Sequence, residues 1–189
     1  MFAPVRTTGP AGTPVSLTEA KEHLRVDFGD DDALIASLVA AATDHLDGWS
    51  GVLGRALVTQ TWRQDFPGWA DPMRLPLFPV QSAVIGYDDE DGDEQTLSAG
   101  WSLLADARGA YIARNAGIDW PALGDAPSPV RITFVAGYGA AAAVPAPIKA
   151  AILLITAGLY EHREAETLQP LSVNRAVSAL LTPYRRVTF

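Results

Sequence analysis

The sequence predicts an α+β fold: a mainly helical core of about four helices, with an antiparallel β insertion between the second and third long helices. Two amphipathic stretches and one change of texture carry this prediction. From Val144 to Ala165, Pro147 stands where a first helical turn tolerates its missing N–H, and Ile148, Ile152, Ile155 and Leu159 then recur along one stripe. Between Asp30 and Leu53, the residues Ile35, Val39, Ala42, Leu46, Trp49 and Leu53 repeat at four-three spacing, a second long helix whose stripe needs the first as its partner. From Arg55 the chain changes to β-branched and aromatic runs broken by Pro, Gly and Asp clusters. With 189 residues and 48% hydrophobic content, the whole of 1–189 can share one core as a single domain.

Taken in order, residues 1–14 read as a loose arm with no continuous apolar segment, so no signal peptide is expected. Residues 15–54 hold the first two helices. The first opens on Ser16-Leu-Thr-Glu19, a capping box in which hydroxyl and carboxylate each accept from the other residue's backbone N–H. Asp30, Asp31 and Asp32 place negative charge at the start of the second helix, where it complements the helix dipole; consecutive carboxylates lack the alternate-position geometry of a calcium loop. Residues 55–137 form the β insertion, with strands expected near Ala56–Phe66, Val80–Tyr87, Gln95–Leu104, Ala110–Ala113 and Val130–Ala136. The acidic run Asp88–Glu94 reads as a solvated hairpin turn around Asp91-Gly92, because the positions an EF-hand needs as ligands are Tyr87 and Ser98. Residues 144–181 carry the central and last helices, and Gly158 within the central one predicts close approach by a second element.

The composition narrows the chemistry. Without cysteine there is no disulfide, Cys-ligated zinc or thiol nucleophile. A net charge of −8 and a pI near 4.7 disfavour a phosphate-binding or anionic-membrane surface. The apolar run Ile148–Tyr160 is too short to span a bilayer. Gly137-Tyr-Gly-Ala-Ala-Ala142 imitates a dinucleotide fingerprint, but Pro145 and Pro147 delay the helix that would have to begin there, so these glycines are expected only to let the chain leave the sheet. His23, His45 and His162 fall on three separate predicted helices with no second ligand at metal spacing. No nucleophile elbow or Walker loop occurs, and neither a catalytic residue nor a cofactor or metal site is predicted. Of the five tryptophans, Trp49, Trp62 and Trp101 are expected in the core.

The last segment, 182–189, has a docking composition. Pro183 stops the preceding helix, and Tyr184, Arg185, Arg186, Val187, Thr188 and Phe189 combine aromatic, basic and strand-forming residues. This predicts a tail that, with Leu180 and Leu181, leaves its own domain for a partner, and whose removal leaves the melting temperature nearly unchanged.

Several landmarks, in this order, resemble the phage head–tail connector proteins of the gp6-like and phiE125 gp8-like kind. They are Ser16–Arg25, Asp32–Ile35, Gly54–Leu57 with Thr61-Trp62, Trp120-Pro121, Val135–Gly139, Val144–Ile148, Leu159–Glu164 and Leu180–Arg185. The resemblance implies a structural adaptor of a tailed phage, prophage or gene-transfer particle, made in the bacterial cytoplasm and built into the head–tail junction. It implies a homo-oligomeric ring of about 12 copies below the portal protein, extending the DNA channel without specific DNA binding and receiving a stopper or tail component. The portal would be met by Leu180, Leu181, Pro183, Tyr184, Arg185, Arg186, Val187, Thr188 and Phe189. The competing reading is a soluble protein-binding module that recognises its partner through the β insertion. A module runs as a monomer, whereas an adaptor self-associates.

Overall fold

The structure is a computed structural model, and it describes residues 2–162 and 175–186. Among these residues, four α-helices and eight strands alternate in blocks: β1 (Val5–Thr8), α1 (Leu17–Leu24), α2 (Asp32–Leu46), β2 (Gln60–Phe66), β3 (Met73–Arg74), β4 (Val80–Asp88), β5 (Glu94–Leu97), β6 (Trp101–Asp106), β7 (Gly109–Arg114), β8 (Val130–Ala136), α3 (Ala146–Glu161) and α4 (Arg175–Leu181). The fold is α+β with antiparallel sheets. Strands weigh as much as helices, so the expectation of a mainly helical core is corrected: two sheets enclose a core of their own.

Each helix follows from local chemistry. In α1, Glu19 N donates to the Ser16 hydroxyl and Ser16 N to the Glu19 carboxylate, completing the capping box. Helix α2 buries Ile35, Val39, Ala42 and Leu46, and α3 buries Ile148, Ala151, Ile152 and Thr156; the two helices pack together, with α1 and α4 against them. Ile155 is half-buried against the same cluster.

Three expectations about these stripes are corrected. Helix α2 ends at Leu46, because Asp47 takes extended backbone and turns its carboxylate to the N–H of Leu57. Trp49 therefore lies beyond the helix and is 49% exposed, while Leu53 reaches the helical core from a turn. Leu159 is 42% exposed, since a 3.6-residue helix rotates away from a strict repeat and the stripe has left the core by the last turn. Gly158 has open space where a Cβ would stand, so no element approaches it closely among the described residues.

The five-stranded antiparallel sheet runs β1-β2-β8-β4-β5, and a three-stranded sheet runs β3-β7-β6. Along β2, Gln60, Trp62, Gln64 and Phe66 point inward and alternate with more exposed residues, the period-two pattern of a one-sided sheet. The stretch expected as one strand from Gln95 to Leu104 is divided, with β5 ending the first sheet and β6 beginning at Trp101 in the second. The loose arm is also corrected: Val5–Thr8 pairs antiparallel with β2, and Gln64 Nε2 donates to the Phe2 carbonyl. At Gly137 the backbone passes so close to Val58 and Thr59 that a Cβ would stand 2.7 Å from their main-chain atoms, which only glycine permits.

Two apolar clusters result. One lies among the helices, and the other between the sheets, built on Trp62, Phe66, Met73, Leu75, Ile85, Ile112, Ile132 and Phe134. They meet along 53–58, where Leu53, Leu57 and Val58 join the helical cluster and Ala56 the sheet cluster. Among the described residues, no helix is long and apolar enough to cross a membrane.

Candidate interaction site

The chain end, the 53–55 turn, β3 and the β6–β7 turn converge at the seam between the clusters, and five arginines line the two adjoining clefts there: Arg55, Arg74, Arg108, Arg185 and Arg186. Three of them are structural. Arg55 Nε donates to the Tyr184 carbonyl at 2.6 Å and Nη1 to the Tyr138 hydroxyl at 3.3 Å, with the guanidinium 4.9 Å from the centre of the Phe78 ring. Arg186 donates through Nη1 to the Pro76 carbonyl and through Nη2 to the Leu75 carbonyl, and its own N–H donates to Leu53 O. Gly109 lies beside Arg186, and its φ of +118° is a backbone conformation that favours glycine. Arg74 holds Asp106 through two bonds of 3.1 and 2.7 Å and lies over the Tyr111 ring.

The electrostatics follow from this crowding. Burial lowers the Arg186 guanidinium below its ordinary value, and the neighbouring Arg74 and Arg55 add to that. The hydrogen bonds from Arg74 hold the Asp106 carboxyl down at about 2. Arg108 and Arg185 are exposed, and their side chains have no hydrogen bond or ion pair among the described residues. Guanidinium forks grip carboxylates in pairs of parallel bonds. The wider cleft, about 420 Å³, adds half-exposed Trp49 and Val52 beside Arg186. Aromatic and arginine side chains together are the composition of protein-contact hot spots.

The other end of β4 is acidic. Its hairpin with β5 is built by Asp89, whose Oδ1 accepts from the N–H groups of Asp91 and Asp93 and whose Oδ2 accepts from Gln95 Nε2. Asp88 is held by Arg131 at 2.9 and 2.6 Å, which keeps its carboxyl below the ordinary value. Glu90, Asp91 and Asp93 are exposed at the tip, and their carboxylates have no side-chain partner among the described residues. Among those residues no group of three or more His, Asp or Glu could hold a metal ion, and the three histidines are exposed on separate elements.

The predicted tail is brought to this seam and not away from it. Leu181 is 2% exposed in the helical cluster, Tyr184 packs on that cluster, and Arg185 and Arg186 line the clefts, so through Arg186 the segment is fastened to its own domain. Over Leu181–Arg186 this differs from the expectation of a detached tail. Val187, Thr188 and Phe189 lie outside the described residues. Arg74 and Arg108 escaped sequence reading because nothing in 55–137 marks them as neighbours of a chain end about 80 to 110 residues away.

Against known proteins, the family model described as phage gp6-like head-tail connector protein matches residues 14–74, from α1 through β3. Comparison with curated proteins gives no match. Among solved structures, a chain from the virion of a native gene transfer agent particle superposes with a TM-score of 0.81 at 27% identity, covering 100% of this chain and 97% of that one. A chain from the neck of an empty particle, computed with C6 symmetry, gives 0.81 at 26% identity with the same coverage. One from the neck of a native particle, computed with C12 symmetry, gives 0.78 at 27%.

Proposed function

We infer that this chain is a head–tail connector of the gp6-like kind, the structural adaptor of a phage-like gene-transfer particle. The observation that carries the reading is the end-to-end superposition on a chain of the gene transfer agent neck, which takes in both clusters and the seam between them. The family match over 14–74 supports it independently, because it rests on sequence.

The role is mechanical and not catalytic: the chain assembles as a ring, and the 12-fold neck of the similar protein supports a ring of 12 copies. The ring sits below the portal, extends the DNA channel and hands on to a stopper or tail component. A net charge of −8 per copy suits a conduit through which DNA slides without being held. Contact with the portal is assigned to Pro183 and the residues beyond Arg186, since Leu180, Leu181, Tyr184 and Arg186 are engaged with their own domain.

Electron microscopy of particles from cells with and without this gene tests the reading. We expect a ring at the head–tail junction that is lost, together with attached tails, when the gene is deleted. An unchanged neck in the deletion strain overturns it. Native mass measurement of the purified chain, alone and with its portal, separates a ring from the monomer expected of a binding module.

A further inference from the structure

A ring of identical copies closes only through two different surfaces, one on each side of every subunit. This chain carries two unlike charged surfaces at opposite ends of one strand. Strand β4 starts two residues after Phe78, whose ring underlies Arg55 in the cleft, and ends at Asp88, where the acidic hairpin begins. Nine residues of extended chain separate the two by about 30 Å. At the first end stand five arginines whose only nearby carboxylate, among the described residues lining the clefts, is Asp106, already engaged by Arg74. At the second stand Glu90, Asp91 and Asp93, exposed and without side-chain partners among the described residues.

We propose that the arginine cleft of one copy receives the Glu90–Asp93 hairpin tip of the next copy, so that the ring closes head to tail through this contact. The proposal rests on the connector reading and names the interface it needs. Copies at −8 repel one another, so a stable contact requires local complementarity where they touch. The hairpin is preorganised to supply it: the bonds to Asp89 fix the turn and leave the three outer carboxylates free to be gripped. On the cleft side, Arg108 and Arg185 have no side-chain hydrogen bond among the described residues and can supply the forks, while Arg55, Arg74 and Arg186 hold the walls in place. A cleft of about 200 Å³ fits side chains and not a duplex, and Asp106 within it repels phosphate, which favours a carboxylate-bearing loop over DNA.

The chain has no cysteine, so a disulfide reports one contact alone. In the full chain carrying Asp91→Cys and Arg108→Cys, assembled with its portal and treated with oxidised glutathione, we expect a covalent ladder that extends to the full ring. Monomers only, in rings whose assembly is confirmed by native mass, overturn the proposal. Arg108→Glu with Arg185→Glu, and separately Glu90→Arg with Asp91→Arg, should each reduce ring yield at least tenfold, and the four substitutions together should restore it. These positions are exposed, so folding is expected to survive, as circular dichroism checks. Wild-type ring yield in the reversed variants overturns the proposal and leaves the connector reading standing. So does intact ring formation with lost portal capture or lost DNA retention, which would assign the cleft to another protein or to phosphate. If the wild-type chain forms no ring with or without portal, both readings fail.

Discussion

The helical cluster and the sheet cluster solve the burial of polar groups in opposite ways. Among the helices, Thr43 is buried and donates its hydroxyl to the Val39 carbonyl of its own helix. Ionic links stay at the rim, where the chain's two lysines reach from Lys21 to Asp32 and from Lys149 to Glu19. Between the sheets, β2 turns two glutamines inward. Gln64 finds the Phe2 carbonyl in the N-terminal arm, and Gln60 finds the buried carboxylate of Asp47 beyond α2. The buried Thr43 hydroxyl is satisfied within its own helix, whereas the inward glutamines of β2 depend on partners from the chain's other segments. The two layers are tied by the Gln60–Asp47 bonds, by the bonds that hold Tyr184 and Arg186, and by the apolar residues that meet along 53–58, and unfolding experiments can separate those ties.

The largest effect is expected from the helical stripe. Ile152→Asp places an unpaired charge at a fully buried position and should cost about 4 kcal/mol or more, or unfold the protein outright. In the sheet cluster, Phe134→Ala should cost about 3–5 kcal/mol through the cavity it leaves. Four of the five tryptophans, Trp62, Trp69, Trp101 and Trp120, lie in the β region, so with Trp49 replaced by Phe fluorescence follows the sheets while circular dichroism at 222 nm follows the helices. Coincident transitions in both variants show one cooperative unit; a loss confined to one probe breaks the seam into two.

Next comes the chain end. Removing Pro183 to Phe189 deletes the Arg55–Tyr184 bond, the Arg186 bonds to Leu75 and Pro76, and the packing of Tyr184. Stability should fall by about 2–4 kcal/mol in denaturant unfolding. A truncated chain that melts like the parent would restore the detached tail.

Asp47 sharpens the comparison at its polar tie. Burial pushes its carboxyl above the ordinary 3.8, against the opposing bonds from Gln60 and Leu57. A folded-state value above the unfolded one means that the protonated form is favoured by folding, so this stabilisation is full below pH 3.8 and is lost as pH rises through the raised value. Asp47→Asn, with the Gln60 amide turned so that its unpartnered oxygen accepts, should remove that slope. Relative to the variant, the wild type should lose stability between acid and neutral pH. Parallel stability profiles would show that Asp47 does not titrate in this way.

The smallest effect sits at the helical rim. The bond from Lys149, followed by those from Ser16, lowers the Glu19 carboxyl from 4.5 to about 2. Its contribution is therefore full above pH 4.5 and fades as pH falls toward 2. Glu19→Ala should cost about 1 kcal/mol at pH 7, a modest value because the group is largely exposed, and almost nothing near pH 2. A cost that does not vary with pH would assign Glu19 a packing role only.

Local periodicity and capping chemistry determined much by themselves. They placed α1 with its Ser16–Glu19 box, most of α2 and α3, the runs that became β4 and β8, and the acidic turn at Asp91-Gly92, because each depends on residues within one or two turns of chain. The order of short landmarks also carried the resemblance to head–tail connectors. Tertiary structure alone decided the rest. It ended α2 at Asp47 so that a buried carboxylate could meet Leu57 and Gln60, turned Trp49 and Leu159 outward, and drew Val5–Thr8 into the sheet. It also gathered Arg55, Arg74, Arg108, Arg185 and Arg186 at one seam and left Glu90, Asp91 and Asp93 at the far end of β4. These outcomes depend on hydrogen-bond and charge partners tens of residues apart, and no local pattern encodes which distant group will satisfy a buried carboxylate or hold a guanidinium in place.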